Sequence, residues 1–459
     1  MTSAALISPS LDTGLAQLVA APVTETERLA SAATICDTLA VALAGAADPR
    51  ASALLATLAG GPVQAPGCAR GLAAVDAALW FGLCAHLLDY DDDETERAMA
   101  HLSVPCLAAS LALAGDDGAL LSEAYVTGCK AMLMLGAAWN PALHGAGWHP
   151  SSVLGVFGAA AAASRMLALS EAQSVEALRL AAALASGTRG AFGGMGKPLQ
   201  VGQGAASGLR CAMLAARGWQ GSAESLDGLA VALFGRQGRL PEEQAPEFPP
   251  QGFVTKLYPS CTATHAAIHA VLTLRAARPG AIPARIRAGL DPRALAILIP
   301  HRARTGDEGR FSLGYCLAVA AATGTVTLGA FEAAAFDDAL PADPQVRALL
   351  DRIEVVEADD LPFGPSGIAT GAHVEILWPD GSTDGLTVDA APGSRALPAR
   401  SEALEAKWHD CLARHAGAET ATGLLPLLRR ATQPGGIAAL RAALADLPQF
   451  QGKEECRIP

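Results

Sequence analysis

The chain has 459 residues, of which 51% are hydrophobic and 17% are charged, and its formal net charge at pH 7 is −12. A chain of this length forms roughly two or three domains and buries a core that needs no disulfide bonds. The acidic balance argues against a nucleic-acid partner, because phosphate binding requires a basic patch.

The cysteines and the N-terminus indicate a cellular compartment. Ten cysteines are scattered without a C-x-x-C pair, and they lie mainly in apolar runs, which is typical of reduced, buried thiols in a cytoplasmic protein. No basic region precedes an apolar stretch at the N-terminus, so we expect no signal peptide. The longest apolar run, residues 153–163, is too short to span a bilayer, so we expect no membrane partner.

Helical patterns dominate residues 15–235. Thr24 and Glu27 form a capping box that opens a helix reaching residue 44. The excess of Ala and Gly over β-branched residues favours helices that pack closely together. Further helices are predicted at residues 72–88, 106–113, 123–135, 153–169, 174–185 and 204–217.

The pattern changes in the second half of the chain. Residues 241–250 are acidic and rich in proline and predict a linker, and a helix follows at residues 262–277. Short strands are then predicted at 352–357, 373–378 and 385–389, with a turn at 379–381, before helices return at 401–416 and 423–444. We therefore predict a mainly α protein. A large helical domain comprises residues 1–250 completed by 400–459, and a smaller α+β lid domain comprises residues 260–395.

An acidic cluster follows the helix predicted at residues 72–88. Residues 89–94 read DYDDDE, and His101 lies beyond them. Clustered carboxylates are costly unless they are solvated, paired or functional, and a solvated loop is the ordinary interpretation. A calcium-binding EF-hand would need Gly and Glu where Glu94 and Ala100 stand. A magnesium-dependent prenyl synthase would need a second Asp-rich motif, which the sequence lacks, so we expect no metal.

A histidine precedes the helix predicted from residue 153, where residues 147–152 read GWHPSS. Ser151 or Ser152 is suited to cap this helix. The helix dipole disfavours a protonated His149, so the ring should stay neutral and able to accept a proton. The same N-terminus could hold a substrate carboxylate. The structural alternative is a histidine that merely packs at a helix entry.

Residues 187–204 are rich in glycine and contain Lys197, one of only five lysines in the chain. The segment fails as a Walker A phosphate loop, because Ala191 and Pro198 stand where Gly and Ser or Thr are needed. We expect a mobile loop that presents Lys197 as a clamp for a carboxylate. A purely structural glycine-rich turn is the alternative.

Two further segments carry polar residues next to predicted helices. In residues 256–265, His265 fits a role in substrate binding or proton transfer. His269 lies one turn later and fits a packing role. The two histidines could bind a metal together only if an acidic third ligand lay nearby, and none does in the sequence. In residues 307–316, the Arg310 guanidinium is able to form two parallel hydrogen bonds to a carboxylate, and the Tyr315 hydroxyl is able to relay a proton. An ordinary charged loop is the alternative for the latter segment.

Together and in this order, these five segments resemble the MmgE/PrpD family, which includes 2-methylcitrate dehydratases, cis-aconitate decarboxylases and iminodisuccinate epimerases. The resemblance covers nearly the whole chain and is most specific at residues 86–92, 147–150, 195–199 and 258–265. It implies a helical domain closed by an α+β lid, a homodimer, and a site without a cofactor in the cleft between domains. By resemblance, the active-site positions are Asp89, His101, His149, Lys197, His265 and Tyr315.

The sequence departs from the family pattern at several of these places. The family usually has Thr at position 93 and His at position 200, where this chain has Asp93 and Gln200, and it usually has Pro where Leu102 follows His101. The loop from Asp89 to His101 also looks about two residues longer than the family's. These changes touch the place where a dehydratase handles its leaving group. We therefore favour epimerisation of an iminodisuccinate-like amino dicarboxylate.

Three alternatives to epimerisation stay open. They are dehydration of a 2-methylcitrate-like hydroxy acid, decarboxylation of the cis-aconitate type, and a non-catalytic binding protein of the same fold. In each enzymatic case we expect a small polycarboxylate substrate. Its expected binding residues are Lys197, Arg310, Ser151, Asp93 and Gln200.

Overall fold

The computed structural model describes residues 10–115, 117–236, 246–300 and 302–447. Part of the predicted linker, residues 241–245, lies outside these ranges. The helices that precede residue 237 are α1 (Leu11–Ala20), α2 (Glu25–Ala46), α3 (Pro49–Leu55), α4 (Ala74–His86), α5 (Ser103–Leu113), α6 (Gly118–Trp139), α7 (Ala142–Gly145), α8 (Pro150–Met166), α9 (Glu171–Ala182), α10 (Gly196–Ala215) and α11 (Ser225–Phe234).

Local sequence signals set the starts of several helices. The predicted capping box at α2 is confirmed, since the Thr24 side chain accepts from the Glu27 backbone and Glu27 accepts from the Thr24 backbone. By contrast, α8 begins at Pro150 with His149 as its N-cap, so neither Ser151 nor Ser152 caps it. Proline is favoured in the first helical turn because its missing N–H has no partner there.

The helices pack at the close distances that the composition predicts. A Cβ atom added at Gly82 of α4 would lie 2.8 Å from the Cα atom of Gly202 on α10. No larger residue fits at this crossing without a shift of the backbone. Helix α2 is long and apolar enough to cross a membrane, but 72% of its apolar window is buried inside the protein, as in a core helix.

A second core lies between residues 263 and 388. Its main sheet has the strand order β7-β4-β8-β9, in which β4 runs parallel to β7 and antiparallel to β8. The helices of this part are α12 (His265–Ala276), α13 (Pro292–Leu295), α14 (Gly306–Gly309), α15 (Leu313–Thr323) and α16 (Pro344–Leu350). The strands of the chain are β1 (Gly60–Val63), β2 (Asp93–Glu94), β3 (Phe253–Val254), β4 (Arg285–Leu290), β5 (Phe336–Asp337), β6 (Leu340–Pro341), β7 (Ile353–Glu357), β8 (Ala372–Leu377) and β9 (Thr383–Val388).

The sheet confirms three predicted strands and adds one that was missed. The central strand, β4, was not predicted, although the sequence RIRAGL alternates exposed and buried positions at its start. Strands β8 and β9 form the hairpin expected from the turn at 379–381. Helix α12 packs on β8 and β9, and α15 packs on β7, so helices cover one face of the sheet.

The C-terminal helices return to the first core. They are α17 (Ser401–Ala416), α18 (Ala418–Arg429) and α19 (Gly436–Ala445), and α17 and α18 pack against α2. The single helix predicted at 423–444 is wrong. The chain breaks there because Pro434 disfavours a helical residue before it and Gly435 has a φ of 71°. The structure confirms a mainly α protein with a smaller α+β part, while the exact domain limits stay a prediction.

Candidate active site

A cavity lies where the two cores meet. The first core contributes residues from the acidic segment after α4, from the start of α8 and from the start of α10. The second part contributes residues 256, 261–263, 294, 297, 311 and 368–370. Of the residues predicted for the site, the cavity wall brings together Asp89, Asp93, His101, His149, Ser151 and Lys197.

A carboxylate shared by two lysines lies in the cavity wall. Lys197 forms a hydrogen-bonded ion pair with Asp89 Oδ1, and Lys256 Nζ lies 3.1 Å from the same oxygen. Burial alone would raise the pKa of Asp89, but the two ammonium groups hold it well below its usual value. Asp89 has a φ of 50°, which is uncommon outside glycine and indicates that its surroundings fix this backbone.

The loop prediction for Lys197 is wrong, because α10 already begins at Gly196. Pro198 is tolerated there since it falls in the first turn of the helix. The Lys197 ammonium lies 5.4 Å from the ring centre of Phe192 and 5.1 Å from that of Phe311. It is therefore held by a carboxylate and two aromatic rings.

A second polar group lies beside this ion pair. Asp91 Oδ2 is 2.8 Å from His86 Nδ1 and 3.0 Å from His101 Nδ1. Burial would raise the pKa of Asp91, but His101 and His86 hold it well below its usual value. The Nε2 atom of His101 lies 3.9 Å from Asp89, and the His101 backbone N–H donates to Ser151 Oγ. Asp91 and Ser151 thus orient His101 at the cavity wall.

The acidic segment is not the solvated loop that the ordinary interpretation expected. Asp89, Asp91, Asp92 and Glu94 are all at most 3% exposed. Burial raises the pKa of Asp92 to about 7 and that of Glu94 to about 7. Backbone N–H groups satisfy these two carboxyls, from residues 102 and 103 for Asp92 and from residues 96–98 for Glu94.

His149 lies at a helix N-terminus, as predicted. Its Nδ1 atom lies 2.6 Å from Gln200 Nε2, and burial lowers its pKa well below the usual value for histidine. Gln200 itself does not line the cavity. Asp93 does, and its Oδ2 accepts from the Thr262 hydroxyl, which ties the acidic segment to the second part of the protein.

Besides Gln200, three predicted residues lie away from the cavity wall. The Arg310 guanidinium is buried and donates to the carbonyls of Leu88 and Pro259, so it supports two cavity segments from behind. The Tyr315 hydroxyl donates to the Ala330 carbonyl. His265 is buried with its Nε2 atom 3.1 Å from the Ser260 carbonyl, and burial lowers its pKa to about 3.

The fold also brings together groups that the sequence did not link. We expected no three convergent metal ligands, but one ligand atom each of His86, Asp91 and His101 lies within 4.8 Å of the others. One hydrogen bond from His86 and one close ion-pair contact from His101, both to the same Asp91 oxygen, account for the short distances.

Sequence reasoning missed Lys256 as a cavity residue. The signal was present, because lysine is rare in this chain and Lys256 lies in a segment without acidic neighbours. Lys407 is another of the few lysines, but it lies outside the cavity and has a structural role. Its ammonium donates to Asp37 Oδ2 and to the carbonyls of Tyr90 and Lys256.

Comparison with known proteins agrees with this architecture. Residues 15–237 match the MmgE/PrpD N-terminal domain, and residues 258–425 match the MmgE/PrpD C-terminal domain. Cis-aconitate decarboxylase from Homo sapiens is 26% identical over 299 residues, covering 61% of this chain and 60% of that protein. The Mus musculus cis-aconitate decarboxylase is 27% identical over 299 residues, covering 62% of this chain and 59% of that protein. The chain thus spans less than two thirds of the length of either relative. Because the two matched domains together cover most of the chain, the chain belongs to the MmgE/PrpD family.

Proposed function

We propose that the protein is a lyase that acts on a small polycarboxylate in this cavity, with decarboxylation of an unsaturated polycarboxylate as the favoured reaction. The observation that carries the proposal is the Lys197–Asp89–Lys256 group beside His101. Within this group, two ammonium ions share one carboxylate, so one positive charge is left over that suits a substrate carboxylate. The relatives named as cis-aconitate decarboxylases support the same class of reaction.

The distribution of charge favours loss of carbon dioxide. Among the described residues that line the cavity, Lys197 and Lys256 are the only lysines or arginines, and much of the remaining wall is apolar. Ala294, Ile297 and Ile368 belong to the apolar part of this wall, and in the proposed complex they surround the carboxylate that is lost. A carboxylate in such surroundings is destabilised relative to uncharged carbon dioxide.

The proton transfer has a suitable donor. In the proposed step the C–C bond to the carboxylate breaks, carbon dioxide leaves, and the electron pair passes to the carbon skeleton. His101, whose Nδ1 atom lies 3.0 Å from the Asp91 carboxylate, gives a proton to that carbon. Solvent then restores the proton on His101.

We favour a lyase reaction over the epimerisation that the sequence analysis predicted. Epimerisation of an amino dicarboxylate needs two proton carriers on opposite sides of the substrate. Both named relatives are decarboxylases, and the departures at Asp93 and Gln200 are the sequence features that favour epimerisation. The substrate, the absence of a cofactor, the homodimer and the cytoplasmic location are parts of the proposal.

The test is incubation with cis-aconitate, with 2-methylcitrate and with iminodisuccinate in D₂O, followed by NMR and by detection of released carbon dioxide. We expect carbon dioxide and one solvent deuterium in the product from cis-aconitate. Water loss from 2-methylcitrate without carbon dioxide would replace decarboxylation by dehydration. Deuterium exchange with inversion on iminodisuccinate alone would overturn the lyase proposal. Absence of turnover on all three would favour a binding protein.

The matched control for this test uses two histidines. His101→Gln should abolish carbon dioxide release from cis-aconitate. His373→Gln should not, because His373 lies on strand β8 and bonds Thr387 and Asp360, away from the cavity.

A further inference from the structure

Only one of the two flipped orientations of the Gln200 side-chain amide is compatible with the hydrogen bonds of its neighbours. The Thr188 backbone N–H donates to Gln200 Oε1 at 3.1 Å, and Gln200 Nε2 donates to the Thr188 carbonyl at 3.2 Å. Exchange of the amide oxygen and nitrogen would set N–H against N–H and oxygen against oxygen. The backbone of Thr188 therefore fixes which end of the amide faces His149.

The backbone around this amide is itself tied to His149. The His149 N–H donates to the Gly187 carbonyl, and the Arg189 N–H donates to the Gly147 carbonyl, both at 3.0 Å. Gly187 has a φ of 116°, and a Cβ atom there would lie 2.6 Å from Ser152 Oγ. Only glycine fits this contact, which holds the segment with Thr188 against the start of α8.

The amide nitrogen of Gln200 lies 2.6 Å from His149 Nδ1. This nitrogen carries only hydrogens to share, so Nδ1 must accept the hydrogen bond and cannot carry a proton. A neutral imidazole with a bare Nδ1 carries its hydrogen on Nε2. Nε2 is also the ring nitrogen that Gln200 leaves available to the cavity.

We infer that Gln200 is a positioning residue that locks His149 as the Nε2–H tautomer, so that His149 donates a hydrogen bond to the substrate instead of removing a proton. Its partner would be an oxygen of the bound carboxylate or the enolate-like oxygen that gains charge as the bond breaks. A fixed donor aimed at developing charge is effective because it needs no reorganisation during the reaction. This role rests on the proposed function, whereas the tautomer itself does not.

The inference changes the assignment of proton carriers. His149 was expected from the sequence to accept a proton, and a ring with hydrogen on Nε2 has no free lone pair for the cavity. The proton carriers of the reaction are then His101 and its partners. A reaction that needs His149 as one of two opposed bases is disfavoured by the same hydrogen bond.

The tautomer is measurable without any substrate. Solid-state ¹⁵N NMR of the full chain with ¹⁵N-labelled histidine, compared with the spectrum of His149→Gln, isolates the two nitrogen signals of His149. We expect an unprotonated Nδ1 and a protonated Nε2 at pH 7. A protonated Nδ1 in the unaltered protein would overturn the inference, whatever the enzyme does.

Two variants test the cause of the tautomer. Gln200→Leu removes the donor without adding charge and should give a mixture of tautomers. Gln200→Glu places an acceptor beside Nδ1 and should move the hydrogen to that atom. Gln203→Glu is the matched control, because Gln203 lies on the same helix, bonds Ser207 and is exposed. An unchanged His149 signal in both Gln200 variants would overturn the inference.

Kinetics then separate the tautomer from the proposed reaction. If cis-aconitate is a substrate, Gln200→Glu should lower kcat by about 10²-fold, the usual effect of losing one donor to developing charge, and should alter the pH profile of kcat. Normal kcat and an unchanged pH profile, together with a switched tautomer, would overturn the catalytic role of the lock. Failure of all candidate substrates would count against the proposed function only, since the NMR result stands by itself.

Discussion

Lys197 and Asp89 lie 108 residues apart in the sequence and form a buried ion pair in the cavity wall. The pair joins the first turn of α10 to the segment after α4. Lys256 approaches the same carboxylate from the second part of the protein, so one carboxylate connects three segments of the chain. This arrangement underlies the first prediction.

Replacement of Lys197 by alanine should damage activity. Loss of one partner of a buried pair costs roughly 3–5 kcal/mol, because the other charge stays desolvated. We expect kcat/KM for the accepted polycarboxylate to fall by about 10²-fold or more. Lys130→Ala is the control, since Lys130 pairs with Glu27 away from the cavity. Unchanged kinetics in Lys197→Ala would remove Lys197 from the site.

Asp92 should make the stability of the protein depend on pH. Burial raises the pKa of its folded-state carboxyl to about 7, whereas the unfolded carboxyl titrates near its ordinary value of about 3.9. A pKa raised in the folded state adds stability at low pH, and this stability is lost as the pH rises through about 7.

Asp92→Asn stays uncharged and should therefore be stabilised relative to the unaltered protein as the pH rises from 5 to 8. The relative gain over this range should be about 2–3 kcal/mol, because roughly two pH units separate pH 5 from the folded-state pKa, and urea unfolding at each pH measures it. Asp389→Asn serves as an exposed control and should show no such trend. A constant difference between Asp92→Asn and the unaltered protein across this range would contradict a raised pKa.

Lys407 should act on the site from outside it. Its ammonium donates to the backbone carbonyls of Tyr90 and Lys256. Tyr90 follows Asp89 in the sequence, and Lys256 lies in the cavity wall. Lys407→Met should lose roughly 3–5 kcal/mol of stability, since Asp37 is left buried without its cation.

The double variant Lys407→Met with Asp37→Asn separates stability from positioning. It removes the unpaired charge, so most of the stability should return in urea unfolding. Turnover should stay low, because the two carbonyls remain unanchored. Recovery of both stability and kcat would show that Lys407 contributes only to folding.

Chelation tests the role of the group formed by His86, Asp91 and His101. We expect activity to survive prolonged treatment with EDTA, because a hydrogen bond from His86 and an ion-pair contact with His101 explain the geometry around Asp91. Metal analysis of the purified protein supplies an independent measurement. Loss of activity that one divalent ion restores would establish a metal site instead.

The sequence determined the elements that depend on near neighbours. The capping box at Thr24, the helices rich in Ala and the hairpin of β8 and β9 follow from hydrophobic period, capping residues and turn residues. The family resemblance also marked Asp89, His101, His149 and Lys197, which the cavity brings together. These features were accessible because each is written within a short stretch of chain.

The tertiary structure decided what depends on distant segments. Arg310 and Tyr315 carry suitable side chains, but the backbone carbonyls that hold them belong to residues that only the fold brings near. The direction of the Gln200 amide was equally hidden, since it depends on Thr188 twelve residues away. Residue types state which chemistry a chain has available, whereas hydrogen-bond partners decide which atoms are free to perform it, and those partners are set when the cores pack.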